Sequence, residues 1–153
     1  MLYIIIFFAI VLFDQITKTV VDANNIQIEL IDGVFSIYNV RNSGAAFSMF
    51  SGEEWAQVFF IITTSIVLIA TALYLIFTKN ESKFLKTTIV MIMGGAVGNF
   101  IDRIALRSVR DFICPHFFAN FNVADVFVCV GAFLLAVYIL FFGEDAVFGK
   151  KKK

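Results

Sequence analysis

The sequence predicts an all-α polytopic membrane protein with four transmembrane helices and a small extracytoplasmic β-rich segment. Of its 153 residues, 60% are hydrophobic and only 16% are charged, with a mean hydropathy of +0.90. Soluble domains are less apolar and carry more charge. The apolar residues also occur in runs long enough for a helix, at about 1.5 Å per residue, to cross a hydrocarbon core of roughly 30 Å. We therefore expect one integral membrane domain over residues 1–153.

Four segments are predicted to span the bilayer. The second is the clearest, because it contains no charged residue. The first is apolar from Leu2 to Phe13 and continues as a helix past the first polar positions. It lacks the basic start and the A-x-A site of a cleaved signal peptide. Gly94 and Gly98, in the third segment, have the spacing that favours close helix packing. The predicted spans cover about residues 2–21, 58–77, 87–105 and 123–142.

The lysines predict the orientation of these spans. Lys79, Lys83 and Lys86 lie between the second and third spans, and Lys150–Lys153 follow the fourth. Cytoplasmic loops carry an excess of Lys and Arg, so both groups are expected in the cytoplasm. With four spans, both termini are then cytoplasmic. The segments over about 22–57 and 106–122 are expected outside.

The first outer segment has the pattern of a β-hairpin. Apolar Ile26, Ile28 and Leu30 alternate with polar residues, as in a half-buried strand. Asp32-Gly33 is a turn signal, and the β-rich run Val34–Val40 follows it. A loop is predicted at Asn42, Ser43 and Gly44. The second outer segment, over about 106–122, is also predicted to be a loop.

Polar residues converge near the outer ends of three helices. The first and third helices run outward, whereas the fourth runs inward and begins outside. An ionisable group in a span is energetically unfavourable, so this shared depth indicates a functional site. Its members are Asp14 and Lys18 on the first helix, Asn99, Asp102 and Arg103 on the third, and Asn122 and Asp125 on the fourth.

Asp111 is the acidic residue of the second outer segment, fourteen residues before Asp125. A turn at Pro115 would allow the segment to fold back onto the start of the fourth helix. Two carboxyl groups about 3 Å apart do not both ionise at neutral pH and share one proton. The ionised group can activate water while the protonated group polarises a peptide carbonyl. Because a helix N-terminus favours negative charge, Asp125 is the better candidate for the base.

Five sequence blocks together resemble the signature blocks of the lipoprotein signal peptidase (signal peptidase II) family. They occur in the family's order and extend from Asp14 to Asp125, nearly the whole chain. The blocks are Asp14-Gln15-Ile16-Thr17-Lys18, Asn42-Ser43-Gly44-Ala45-Ala46-Phe47, Gly95-Ala96-Val97-Gly98-Asn99-Phe100-Ile101-Asp102-Arg103, Val109-Arg110-Asp111-Phe112 and Phe121-Asn122-Val123-Ala124-Asp125.

The resemblance implies an aspartyl endopeptidase of the bacterial inner membrane. Such an enzyme removes the signal peptide of a prolipoprotein just before a cysteine that already carries diacylglycerol, and globomycin-type cyclic peptides inhibit it. Asp111 and Asp125 match the family's catalytic pair. The residues that match its supporting or substrate-contacting positions are Asp14, Lys18, Asn42, Gly44, Asn99, Asp102, Arg103 and Asn122. The implied partners are the prolipoprotein and membrane lipid.

Three other functions are compatible with parts of the sequence. An intramembrane serine protease would use Ser43 or Ser48 with His116, although the signature loop of such enzymes is absent. A transporter or channel subunit would carry charges at several depths, and a scaffold would need few buried charges. The zero net charge excludes a nucleic-acid surface. We expect no cofactor and no metal, since one histidine and two cysteines form no usual ligand pattern.

Overall fold

The computed structural model describes residues 1–44, 50, 53–78 and 82–147. Ser48, Lys79 and Lys150–Lys153 lie outside this part of the chain. Within the described residues, four helices are long and apolar enough to cross a membrane, and three strands form one sheet, so the predicted fold class is confirmed. The elements are α1 (Leu2–Ala23), β1 (Gln27–Ile31), β2 (Phe35–Asn42), α2 (Glu54–Phe77), α3 (Lys83–Leu106), β3 (Val109–Pro115) and α4 (Val123–Val147).

Helices α2 and α3 are flanked by polar or left-handed residues that lie beyond the apolar runs. Helix α2 starts at Glu54, four residues before the apolar run that predicts it. The Ser82 hydroxyl caps α3 by accepting a hydrogen bond from the Leu85 N–H at 3.0 Å. Arg107, at φ 55°, terminates α3 in the left-handed conformation. A helix thus continues into the membrane interface, where hydropathy no longer marks it.

Helix α3 lies at the centre and contacts each of the other three helices. Gly94 and Gly98 face α1, where an added Cβ would lie 3.0 Å from Ile10 Cγ2 and 2.5 Å from Asp14 Oδ2. Gly95 faces α4, where an added Cβ would clash with the Ala124 carbonyl oxygen in the first turn. The predicted glycine packing is therefore confirmed, because small residues let helix backbones approach closely.

The predicted hairpin is confirmed, and a third strand extends it. Strands β1 and β2 pair antiparallel around a turn in which Gly33 has φ 67°. Strand β3 pairs antiparallel with β2, with Arg41 opposite Arg110. The expectation of a loop over Val109–Pro115 is wrong. This strand is buried on both faces, so its sequence has no polar–apolar alternation that would predict it.

A surface ion pair joins the sheet to the C-terminal end of α1. The Arg41 guanidinium lies 2.7 Å from one carboxylate oxygen of Asp22 and 3.0 Å from the other. Asn39 donates to the same carboxylate at 2.5 Å. The Arg41 side chain is 42% exposed. Ion pairs at this exposure contribute little to stability.

Candidate active site

Asn122 connects the carboxyl groups of Asp111 and Asp125. Its side-chain amide donates to Asp111 Oδ1 at 2.8 Å, and its backbone N–H donates to Asp125 Oδ2 at 3.0 Å. The second oxygen of each acid is also bonded. Asn42 donates to Asp111 Oδ2 at 3.0 Å, and Asn99 donates to Asp125 Oδ1 at 2.7 Å. One strand residue and one helix-tip residue therefore share a single hydrogen-bond network.

The start of α4 is held by two side chains. Asn122 precedes the helix, and its Oδ1 accepts from the Asp125 N–H at 3.0 Å. Together with the bond from the Asn122 N–H to Asp125, this forms a reciprocal capping box. Asp14 of α1 accepts from the Ala124 N–H at 2.9 Å. Both bonds satisfy N–H groups that a helix start leaves without partners, so the position of Asp125 is set by the cap and by α1.

Asp111 lies in a largely dry environment at 3% exposure. Burial, together with the nearby charge of Asp125, raises the pKa of this carboxyl to about 6. Hydrogen bonds from Asn42 and Asn122 and the charge of Lys18 act in the opposite direction. Burial prevails because removing water disfavours the charged form of an acid. A carboxyl with this pKa exchanges its proton close to neutral pH.

Lys18 joins the acids of α1 and α3 to the network. Its ammonium group lies 2.8 Å from Asp14 Oδ2 and 3.6 Å from Asp102 Oδ2. It also donates to Asn99 Oδ1 at 2.8 Å, and that oxygen accepts from the Asn122 amide at 3.0 Å. Asp14, Lys18 and Asp102 are at most 1% exposed. A buried charge requires such pairing, because an isolated one is strongly unfavourable.

Arg110 and Gln15 belong to this buried cluster, although the sequence did not identify either as a site residue. The Arg110 guanidinium lies 2.7 Å and 3.1 Å from the two oxygens of Asp102. It also donates to Gln15 Oε1 at 3.0 Å and to Thr19 Oγ1 at 3.3 Å. Gln15 in turn donates to Asp102 Oδ1 at 3.1 Å. The signal was weak, because an arginine in an outer loop usually faces water.

The Arg103 side chain contacts different residues from those that its neighbour Asp102 contacts. Its guanidinium donates to the Gly44 carbonyl at 3.4 Å and lies 5.1 Å above the Phe60 ring of α2. Its Nε is buried, and among the described residues it has no hydrogen-bond partner. Arg103 also interacts electrostatically with Asp111 and Asp125. It thus presents an unused donor beside the carboxyl pair.

The structure opposes the serine-protease alternative as far as Ser43 is concerned. The exposed His116 ring lies 2.9 Å from the Ser36 hydroxyl, at the start of β2. Ser43 follows the other end of this eight-residue strand, roughly 20 Å away at about 3.3 Å per residue. Within the described ranges, no three His, Cys, Asp or Glu side chains are grouped to hold a metal ion.

The family model described as signal peptidase (SPase) II matches residues 6–141. The chain belongs to the signal peptidase II family. A lipoprotein signal peptidase from Bacillus subtilis is 38% identical, with 100% of this chain and 99% of the relative covered. A lipoprotein signal peptidase from Symbiobacterium thermophilum is 38% identical, with 92% of this chain and 95% of the relative covered.

Solved structures agree with the signal peptidase II assignment. A bacterial membrane enzyme, determined by the in meso method at 2.3 Å resolution, aligns with a TM-score of 0.82 at 33% identity. The alignment covers 99% of this chain and 93% of that one. As a signal peptidase II, the chain is a multi-pass membrane peptidase that acts in lipoprotein processing. The transporter and scaffold alternatives are therefore wrong.

Proposed function

We propose that this signal peptidase II is an aspartic endopeptidase with Asp111 and Asp125 as its catalytic pair. It cleaves prolipoproteins immediately before the diacylglyceryl-modified cysteine. The observation that carries the proposal is the bonding of both carboxyl groups to Asn122, at 2.8 and 3.0 Å. Each oxygen keeps a further lone pair, so the pair can hold a water molecule and a shared proton.

The two acids have different roles in the proposed reaction. Asp111 holds the shared proton in this proposal, because burial raises its pKa to about 6 and two adjacent carboxyl groups share one proton at neutral pH. Asp125, in the first turn of α4, is ionised and favoured by the helix dipole. The Asp125 carboxylate removes a proton from water as the oxygen attacks the peptide carbonyl, whose oxygen accepts the Asp111 proton. The tetrahedral intermediate collapses when the proton held by Asp125 moves to the leaving nitrogen, the C–N bond breaks, and Asp111 takes back a proton from one hydroxyl group of the intermediate.

The charges of the site support a singly protonated pair. The bases are the buried Lys18 and Arg110 and the half-buried Arg103, and the acids beside the pair are Asp14 and Asp102. If the pair carries one negative charge, three negative charges balance three positive ones. A neutral cluster is favourable in a site of low dielectric, where an excess charge is strongly destabilising.

The remaining site residues support or orient the pair in this proposal. Asn42, Asn99 and Asn122 fix the carboxyl oxygens. Arg103 and Gly44 lie where the substrate backbone passes, and Arg103 Nε donates to it. The buried groups that hold the helix ends together are Asp14, Lys18 and Asp102. We propose that no metal or cofactor takes part and that the partners are the prolipoprotein, membrane lipid and globomycin-type inhibitors.

We also propose that the site faces outward in the bacterial cytoplasmic membrane, with both termini in the cytoplasm. The lysine distribution supports this orientation. Cys114 is only 1% exposed and is unsuitable for labelling. Phe117 is 78% exposed, so a Phe117→Cys variant in a Cys129→Ala background should react with an impermeant thiol reagent on intact spheroplasts. Reaction only after lysis would reverse the orientation.

The catalytic proposal is tested by Asp111→Asn and Asp125→Asn, each assayed for cleavage of a lipid-modified precursor. Both should lose at least about 10³-fold in kcat, within the range for general acid–base groups, while still inserting and folding. Ser43→Ala and Asp32→Asn should retain activity, and chelators should have no effect. Substantial cleavage by either site variant would refute the catalytic pair, and inhibition by a chelator would indicate a metal.

A further inference from the structure

We infer that Arg110 is a positioning residue for Asp111: it anchors β3 to α3 and α1 so that the carboxyl of the next residue reaches the helix tip of α4. This inference rests on the proposed catalytic role of Asp111. Arg110 has no contact with the reacting groups in the structure. It acts through the backbone and through Asp102.

Asp102 binds the side chain and the backbone of Arg110 at the same time. Its Oδ2 accepts from the Arg110 backbone N–H at 2.9 Å and from Nε at 3.1 Å, and its Oδ1 accepts from Nη2 at 2.7 Å. Asp102 is fully buried, and Arg110 is 8% exposed. The planar guanidinium matches a carboxylate in this two-point geometry, which a lysine cannot reproduce.

The remaining guanidinium bonds extend the anchor to α1. Nη2 donates to Gln15 Oε1 at 3.0 Å, and Nη1 donates to Thr19 Oγ1 at 3.3 Å. Arg110 therefore joins one strand to two helices. Consecutive Cα atoms are about 3.8 Å apart, so fixing the backbone of residue 110 limits the positions open to Asp111.

Successive side chains of a strand point to opposite faces. In β3, this alternation places the Arg110 side chain and the Asp111 carboxyl on opposite sides of the strand. The Arg110 side chain contacts Asp102, whereas the Asp111 side chain contacts Asn42 and Asn122. The same alternation occurs on β2, where Arg41 precedes Asn42 and lies opposite Arg110. However, Arg41 pairs with Asp22 at a half-exposed position.

Arg110 also completes the charge balance of the buried cluster. Without it, Asp14 and Asp102 would face Lys18 alone, and the cluster would carry an extra negative charge. Lys18 already interacts with Asn99, which bonds to Asp125. Loss of Arg110 would therefore draw Lys18 towards Asp102 and disturb the second acid of the pair as well.

The test compares Arg110→Met, Arg110→Lys and the matched control Arg41→Met, with kcat, KM and thermal unfolding measured for detergent-purified protein. Arg110→Met should lower kcat on the order of 100-fold, the scale of a misplacement near 1 Å, with KM changed by less than about threefold. Arg110→Lys keeps the charge but lacks the two-point geometry, so its kcat should be about tenfold higher than that of Arg110→Met. Arg41→Met should remain within about twofold of the parent, because its ion pair is exposed.

A kcat for Arg110→Met within about threefold of the parent would overturn the inference. So would a loss accounted for by the fraction of protein that fails to fold. If Arg110→Met does not fold, Arg110→Lys decides: a folded lysine variant with full kcat refutes positioning, and a folded one with reduced kcat and unchanged KM supports it. Asp111→Asn, assayed in parallel, separates the two proposals. If that variant is active, the catalytic pair itself is wrong, whatever Arg110→Met shows.

Discussion

Burial of Asp111 should make the folded protein less stable as the pH rises from about 4 to 7. The side chain is 3% exposed, and burial raises its pKa from 3.8 to about 6. In the unfolded chain the carboxyl loses its proton near pH 4. Between these two values the folded state holds a proton that the unfolded state has released, so each rise in pH favours unfolding.

The size of the effect follows from the two pKa values. They differ by about two pH units, and each unit corresponds to about 1.36 kcal/mol. Asp111 should therefore lower the free energy of unfolding by about 2.5 kcal/mol at pH 7 relative to its contribution at pH 4. The charged groups that interact with it are Asp125 from α4 and Lys18 from α1, together with Arg103 from α3.

The assay is thermal unfolding of the purified protein in detergent between pH 4 and 7.5. At roughly 2–4 °C per kcal/mol for a chain of this size, Asp111 should lower the Tm by roughly 5–10 °C across this range. Asp111→Asn cannot ionise and should lack this contribution. Asp32→Asn, a substitution at an exposed turn residue of the same sheet, should keep the pH dependence of the parent.

The comparison isolates Asp111 because all other titrating groups are common to the variants. If the parent and Asp111→Asn show the same change in Tm with pH, the carboxyl is not desolvated in the folded protein. The assignment of Asp111 as the protonated acid would then lose its physical basis, even if the residue proves essential for cleavage.

Two further substitutions test the support of the site. Gly98→Ala places a methyl group 2.5 Å from Asp14 Oδ2, whose carboxylate is held in place by buried hydrogen bonds. This variant should lower the free energy of unfolding by roughly 3–5 kcal/mol. Gly94→Ala, whose methyl group meets a flexible isoleucine, should lower it by only roughly 1–3 kcal/mol. Equal shifts in Tm would contradict this. Asn122→Ala removes the link between the acids and the α4 cap and should lower the unfolding free energy by roughly 2–4 kcal/mol and kcat by about 100-fold. Asn24→Ala, which removes an exposed bond to the Val20 carbonyl, should change neither, and an active Asn122→Ala would exclude the proposed network.

Local patterns were sufficient to predict the helices and the first hairpin. A long uncharged run such as 58–77 has few alternatives to a membrane helix, because every backbone group in lipid must be bonded within the segment. The alternation from Ile26 to Leu30 and the turn at Asp32-Gly33 likewise depend only on neighbours in the chain. The spacing of Gly94 and Gly98 predicted a packed face, although it could not identify α1 as the partner.

Strand β3 could not be predicted, because its signal depends on the rest of the fold. A strand with one solvent-exposed face shows alternating polar and apolar residues in its sequence. Val109–Pro115 lacks this alternation because it is buried on both faces. The roles of Gln15 and Arg110 were missed for the same reason. Their partner Asp102 is 87 residues from Gln15 along the chain, and spacing within one helix carries no information about such a contact.

The sequence by itself determined which residue types the site contains and predicted that they lie at one depth, since hydropathy and helical spacing are properties of short segments. Only the tertiary structure decided how these residues pair. It assigned Asp102 to Lys18 and Arg110 instead of to its neighbour Arg103, and it joined Asp111 and Asp125 through Asn122. Hydrogen bonds and ion pairs require atoms within about 3–4 Å, and that proximity between distant segments arises only when α1, α3, α4 and the sheet pack together.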